Sequence, residues 1–239
     1  MVVFPSENKT ALITGILGFT GHYVAKKLKA KGYRVYGTSQ NSEDPINDIF
    51  KADISDKDAI NKIIRKIHPN VVIHLAAISY VDHGDVAEIY HTNIVGTQYL
   101  LEAIDRLSKP PKIVILASSA NIYGNSPASP ITESTISNPQ NDYAVSKCAM
   151  EQIARLWMDK LPITITRPFN YTGVGQSSNF LIPKIVDHFK KEAQKIELGN
   201  IDISRDFSDV RVVADCYMKL IEKAPSGEVF NICSNRSTS

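Results

Sequence analysis

The sequence predicts an α/β fold built on a doubly wound parallel sheet. Three observations carry this prediction. Apolar segments alternate with amphipathic ones from the start of the chain, an order that makes right-handed crossovers between parallel strands. The apolar segments TALIT, VVIHLA and KIVILA lack in–out alternation, as strands covered on both faces do. A cluster of three glycines stands directly between the first apolar segment and the first amphipathic one.

The first strand is Thr10–Thr14. Residues 20–31 follow as a helix, with Val24, Leu28 and the alanines on one face, the lysines on another, and Gly32 at its end. Residues 33–38 form a second strand, and 49–54 can supply a third. In residues 57–67 the apolar positions Ile60, Ile63, Ile64 and Ile67 recur at helical spacing. His68, Pro69 and Asn70 stop that helix, and residues 71–76 are a buried strand with His74 as a core residue. Residues 85–107 read as one long helix. Pro110 and Pro111 break the chain before the strand at 112–117. Residues 126–140, rich in Pro, Ser, Thr and Asn, form a loop, followed by a helix at 142–160 and a strand at 163–167. After Pro168 the pattern loosens, with helices at 182–191 and 212–223 and a strand at 229–232.

Composition narrows the function classes. The chain has 239 residues, 43% hydrophobic and 22% charged, with net charge +2. That suits one large domain, or one with a small appendage, and lacks the strong basic excess of a nucleic-acid surface. Lys26, Lys27, Lys29 and Lys31 read as a solvated helix face. Cys148, Cys216 and Cys233 are far apart in sequence, so no metal or redox spacing is visible and free thiols in a reducing cytoplasm are expected. No apolar run reaches the roughly 20 residues that span a bilayer. The opening MVVFPSENK lacks the features of a signal peptide.

The segment TGILGFTG places Gly15, Gly18 and Gly21 between strand and helix. Gly15 permits a sharp turn, Gly18 a close approach of backbone to a pyrophosphate, and Gly21 tight packing of helix on strand. The helix N-terminus then offers free N–H groups and its positive dipole end to phosphate. In this context the motif marks a Rossmann-type, dinucleotide-binding sheet. The second strand ends with Thr38, Ser39 and Gln40, without an acidic residue. An acid there would bind the ribose 2′-hydroxyl of NAD and repel a 2′-phosphate. Its absence favours NADP(H), with NAD(H) as the second cofactor.

Tyr143 and Lys147 are four apart on the predicted helix and share a face. A tyrosine with an ordinary pKa of about 10 transfers protons poorly near neutrality, and a nearby ammonium favours its phenolate. Such a pair can protonate a carbonyl oxygen or deprotonate an alcohol. Tyr23 and Lys27 have the same spacing but read as surface residues of the first helix. Tyr143 is favoured because it follows the strand ending Ala117, Ser118 and Ser119, at the carboxyl end where such sheets bind ligands. Ser119 can give the reacting oxygen a second hydrogen bond. The catalytic candidates are therefore Ser119, Tyr143 and Lys147.

From about Lys9 to about Ser234 the chain resembles the extended short-chain dehydrogenases, the NAD-dependent epimerase/dehydratase family. The segments that carry the resemblance are TGILGFTG, HLAA, HTNIVGT, ASSANIYG, YAVSK, RPFNYTGVGQ and RDFSDV. It implies cofactor contacts from Gly15, Gly18, Phe19, Thr20, Gly21, Thr38, Ser39, Asp53, Ile54, Leu75, Ala76, Ala77, Tyr143, Lys147 and Arg167. Asp53 and Ile54 would meet the adenine, and Asn93 would be a structural polar residue. Substrate contacts would come from Ser119, Asn170, Gln176, Lys184 and Arg205. The guanidinium of Arg205 also suits a phosphate on its own terms, the competing role being an ion pair with Asp206 or Asp209.

Departures from the family pattern select a reaction. Dehydratases of this family carry an acid after the serine, where this chain has Ala120 and Asn121. GDP-fucose synthases use a cysteine and a histidine where Ala120 and Phe180 stand here. Plain hydride transfer remains, and the later segments look most like GDP-4-keto-6-deoxy-mannose reductases. The expected reaction is NADPH-dependent reduction of the 4-keto group of a GDP-linked 4-keto-6-deoxy sugar. A nucleotide-sugar 4-epimerase with tightly bound NAD shares these residues and is the alternative. A non-catalytic dinucleotide-binding protein, or a chain that binds cofactor alone, would share the fold, since fold does not fix function. Residues 1–168 are expected to form the dinucleotide-binding domain. Residues 169–239 would form a small substrate-binding part, incomplete and interleaved with the first. Neither nucleic acid nor membrane is expected as a partner, the cysteine usage points to the cytoplasm, and the resemblance implies a homodimer formed through the helices at 85–107 and 142–160.

Overall fold

The computed structural model describes residues 9–42, 44, 46, 48–79, 84–198 and 204–238. The segment 1–8, expected to carry no leader, lies outside them. Seven parallel strands form the central sheet in the order β3–β2–β1–β4–β5–β6–β9. They are β1 (Thr10–Thr14), β2 (Arg34–Ser39), β3 (Ile49–Lys51), β4 (Val71–His74), β5 (Ile113–Ala117), β6 (Ile163–Pro168) and β9 (Glu228–Ile232). The order reverses between β1 and β4, which opens a crevice beyond their carboxyl ends, the place where such sheets hold ligands. A second, three-stranded sheet joins β7 (Asn170–Thr172), β8 (Arg205–Asp209) and β10 (Ser237–Thr238).

Two apolar cores lie on the two faces of the large sheet. One contains the inward sides of α2 (Lys57–Ile67), α4 (Gly96–Asp105) and α5 (Asp142–Trp157); the other packs α1 (Phe19–Ala30) and α7 (Val210–Lys223). The periodicity read in α2 is the reason it sits there. Ile60, Ile63, Ile64 and Ile67 are all buried, each contributing about 1.5–3 kcal/mol. Asp56 caps α2 by accepting from the N–H groups of Asp58 and Ala59, which satisfies two of its orphan donors.

The helix expected at 85–107 is not continuous. It is α3 (Val86–Tyr90), a π-helical turn His91–Val95, and α4. The wider turn carries Asn93 inward, where it is buried and clamps the Ile78 backbone through both its amide groups. Gly96 follows because a Cβ there would lie 2.7 Å from Ile54 Cγ2. Two predicted strands are shorter than expected. The one at 49–54 pairs only over Ile49–Lys51, and the one at 71–76 ends at His74. Beyond those strand ends Ala52 and Ile54 pack in one apolar core with Ala76 against it, and Leu75 packs against the other. The strands β7, β8 and β10 were not expected; the polar β8 sequence RDFSD has no apolar pattern to reveal it. The first helix after Pro168, α6 (Leu181–Lys190), buries none of its residues fully.

Candidate active site

The turn after β1 is shaped for an anion. Gly15 has φ +71°, and a Cβ there would lie 2.9 Å from the Cα and N of Ala76. A Cβ on Gly21 would lie 2.6 Å from the carbonyl oxygens of Gly15 and Ile16, so no other residue lets α1 start so close to β1. The N–H groups of Gly15 and Ile16 both donate to the Thr38 carbonyl, at 3.0 and 3.2 Å. Gly18 is the N-cap of α1, no side chain caps that end, and its first turn holds no acid. The helix thus presents open donors beside Phe19 and Thr20.

At the end of β2, Gln40 Nε2 donates to Asp53 Oδ2 at 2.9 Å, while Ser55 donates twice to Asp53 Oδ1. Burial pushes the Asp53 carboxyl up, but these hydrogen bonds outweigh it and hold the group below its ordinary value.

A polar chain runs under the crevice. The Ala76 N–H donates to Thr14 Oγ1 at 3.2 Å, and Thr14 Oγ1 lies 2.7 Å from His74 Nδ1. His74 Nε2 lies 2.9 Å from Thr97 Oγ1, which itself donates to the Asn93 carbonyl. Thr97 has spent its proton, so it accepts from His74; Nδ1 must then accept from Thr14. That assigns a neutral imidazole protonated on Nε2, consistent with burial pushing its pKa down to about 3. His74 is therefore a core residue. Asn93 Nδ2 also donates to Ser146 Oγ, and Ser146 Oγ to the Tyr143 carbonyl. The end of β1 and the helix α5 are thereby tied together.

The structure brings Ser119, Tyr143 and Lys147 together. Ser119 follows β5, accepts from the Asn121 N–H through its hydroxyl, and lies near enough to Tyr143 to lower the pKa of that phenol. Lys147 Nζ donates to the Ala117 carbonyl at 2.8 Å and sits 5.8 Å from the centre of the Tyr143 ring. Burial raises the Tyr143 pKa, with Ser119 opposing. Burial lowers that of Lys147 to about 8, with Glu151 opposing. The sequence argument had Lys147 lowering the Tyr143 pKa; in the protein alone, desolvation dominates instead.

Arg167 was expected at the cofactor, and the structure gives it another set of partners. Its Nε and Nη2 reach Glu151 at 2.9 and 2.7 Å, and its Nη1 donates to Tyr123 Oη and the Glu133 carbonyl. Arg167 and Glu151 are both buried, so their charges are matched inside the protein. Among the substrate candidates, Asn170 lies on β7 and Gln176 just beyond it, where Gln176 Nε2 donates to the Tyr171 carbonyl. Lys184 on α6 gives its ammonium to the Glu197 carbonyl at 2.7 Å. Arg205 is exposed at the start of β8. The acids that could have paired with it are held elsewhere, Asp206 by the N–H groups of Ser234 and Arg236 and Asp209 by Arg211.

Sequence reasoning missed Tyr171 and the Glu151 partner of Arg167. Tyr171 lies inside RPFNYTGVGQ and shares a 2.8 Å hydrogen bond with Thr20 Oγ1. Nothing in the spacing of either pair marks it, because each partner comes from a distant element.

These features fit a dinucleotide. Gly15 and Gly21 leave room only for backbone, α1 offers uncapped donors, and the buried Ser118 Oγ and Gln176 Oε1 have no protein partner among the described residues. A parallel sheet with this turn and a Ser/Tyr/Lys cluster beyond its switch point defines a dinucleotide-dependent oxidoreductase fold. The family model for the NAD dependent epimerase/dehydratase family matches residues 11–233, and the chain belongs to that family, the extended short-chain dehydrogenases. It is an NAD(P)-dependent enzyme of that type.

Two curated relatives have closely related names. A GDP-6-deoxy-D-talose 4-dehydrogenase of Aggregatibacter actinomycetemcomitans is 34% identical over 93% of this chain and 74% of its own length. A GDP-6-deoxy-D-mannose reductase of Pseudomonas aeruginosa is 31% identical over 94% and 74%. Among solved structures, one from Burkholderia cenocepacia J2315 is 49% identical with a TM-score of 0.90, covering 98% of this chain and 78% of that one. The structure of RMD from Pseudomonas aeruginosa complexed with NADPH is 30% identical with a TM-score of 0.82, covering 96% and 79%.

Proposed function

We propose that this protein reduces the 4-keto group of a GDP-linked 4-keto-6-deoxy sugar with NADPH. The observation that carries the reading is the grouping of Ser119 with the buried Tyr143 and Lys147, followed by Ala120 and Asn121, neither of which can act as a general base. Such a cluster supports hydride transfer and its accompanying proton, but not elimination across a sugar ring. The names of the two curated relatives, both GDP-6-deoxy-sugar oxidoreductases, support the substrate class.

When bound, the reduced nicotinamide supplies hydride to the keto carbon. Tyr143 gives its hydroxyl proton to the carbonyl oxygen, leaving a phenolate. Ser119 holds that oxygen by a second hydrogen bond. Lys147, anchored on Ala117, supplies the positive charge that favours the phenolate and takes the nicotinamide ribose. Hydride and proton together convert ketone to alcohol.

Gly15, Gly18, Phe19, Thr20 and Gly21 hold the pyrophosphate, Asp53 and Ile54 the adenine, and Leu75, Ala76 and Ala77 flank the cofactor. Asn170, Gln176, Lys184 and Arg205 take the sugar nucleotide. The absence of an acid at Thr38 and Ser39 supports NADP. NAD is the second cofactor, because the Asp53 carboxylate tied to Gln40 adds negative charge near that end of the site. A homodimer formed through α3–α4 and α5 completes the reading. Among the described residues no helix is long and apolar enough to cross a membrane.

The test is loss of reduced-nicotinamide absorbance when protein, NADPH and enzymatically prepared GDP-4-keto-6-deoxy-mannose are mixed, with NADH in parallel. Consumption with NADPH supports the reading. A tightly co-purified NAD and turnover without added reductant would replace it by the 4-epimerase.

A further inference from the structure

Tyr171 lies on β7, in the segment assigned above to the substrate, yet its partners belong to the helix assigned to the dinucleotide. Its hydroxyl shares the 2.8 Å hydrogen bond with Thr20 Oγ1 on α1. Its ring lies parallel to that of Phe19, with centroids 6.0 Å apart and planes 10° apart. The same two segments are joined again by Tyr23, whose hydroxyl donates to the Val174 carbonyl at 2.8 Å. Between them Gly173 leaves no space: a Cβ would lie 2.6 Å from Val210 Cγ1, 3.5 Å from Phe19 Cζ and 3.6 Å from Tyr23 Oη. β7 continues the connection by pairing with β8. Tyr171 also raises the Tyr143 pKa electrostatically.

Thr20 is the second residue of α1, in the uncapped first turn. Its hydroxyl has one proton to give and can accept another. If Tyr171 donates to Thr20, the Thr20 proton is left for an anion at the helix end. An anion taking that proton makes Thr20 Oγ1 a better acceptor, because hydrogen bonds in series strengthen one another.

We propose that Tyr171 is a positioning residue that makes sugar-nucleotide binding depend on bound dinucleotide, through the relay Tyr171 to Thr20 to a phosphate oxygen. The proposal rests on the functional reading above. With dinucleotide bound, residues 169–176 are fixed against α1 and present Asn170 and Gln176 to the substrate. Without it, the Tyr171–Thr20 bond is an ordinary neutral pair, and the segment has less to hold it. By linkage the effect is reciprocal: the sugar nucleotide tightens the dinucleotide by the same factor.

The experiment is calorimetric titration of the whole chain with GDP-mannose, with and without saturating NADP⁺, on wild type, Tyr171→Phe, Thr20→Val and the double variant. In wild type NADP⁺ should tighten GDP-mannose by about fivefold or more, and each single variant should bring that factor close to one. The double variant should lose no more than either single one, as expected for two groups in one relay. Tyr171→Phe keeps the ring against Phe19, so its melting temperature should stay near wild type while the coupling disappears. Coupling that survives in Tyr171→Phe, or GDP-mannose affinity unaffected by NADP⁺ in wild type, would overturn the proposal and leave the functional reading standing. A wild-type chain that binds neither ligand would overturn that reading, and this proposal with it.

Discussion

Lys147 Nζ donates to the main-chain carbonyl of Ala117 at 2.8 Å. That bond fixes the helix α5 on the carboxyl end of β5, and the carbonyl dipole is the lysine's partner in a buried setting. Burial lowers the Lys147 pKa to about 8, so its charge is lost as pH rises through that value. If the charge is needed, kcat/KM should fall as pH rises through about 8. Lys147→Met should lack this limb and lose about 10²–10⁴-fold in kcat. A wild-type profile flat from pH 7 to 9 would show that the ammonium is not needed.

Tyr143 is buried with Ser119 near its phenol, so removing its hydroxyl takes away the proposed proton donor and little packing. Tyr143→Phe should reduce turnover by about 10²–10⁴-fold with the affinity for NADP⁺ retained. Near-normal turnover in this variant would remove Tyr143 from the chemistry.

Glu151 and Arg167 neutralise each other out of solvent, with Tyr123 and the Glu133 carbonyl taking the remaining guanidinium group. Glu151→Ala leaves an uncompensated buried cation, which should cost about 3–5 kcal/mol in denaturant unfolding. Replacing both residues by methionine should recover much of that loss. A Glu151→Ala protein as stable as wild type would mean the pair is not held as described.

His74 links Thr14 at the end of β1 to Thr97 on α4 as a neutral ring. Its folded pKa is about 3 against an ordinary value of 6.5, so between those pH values the unfolded chain binds more protons. Stability should therefore fall as pH drops from 6.5 toward 3, by up to about 1.4 kcal/mol per unit from this group. His74→Gln, which can accept from Thr14 and donate to Thr97 without titrating, should flatten that part of the profile. Parallel profiles for the two proteins would contradict the assignment.

Much of this was legible in the sequence, for identifiable reasons. The strands of the large sheet and the α2 isoleucines declare themselves because burial on one or two faces dictates residue type. The glycine turn declares itself because only glycine fits at Gly15 and Gly21. Ser119, Tyr143 and Lys147 could be grouped because parallel strands end on one side of the sheet. The π-helical turn at His91–Val95 was not legible, since Asn93 turns inward for a polar contact with Ile78 that apolar periodicity cannot report. The pairing of Arg167 with Glu151 was not legible, because Glu151 lies on another element and sequence spacing does not reveal such pairs. The small sheet carries few apolar residues, so β7 and β8 gave no strand signal.

The most direct test of the central claim is where the reducing hydrogen goes. NADPH deuterated at C4 of the nicotinamide would be incubated with the protein and GDP-4-keto-6-deoxy-mannose, and the sugar analysed by mass spectrometry and NMR. The account predicts one equivalent of NADPH oxidised per sugar and a single deuterium at the sugar's C4. A converted sugar without deuterium, formed while NADPH remains unconsumed, would contradict it and identify internal hydride return to the substrate.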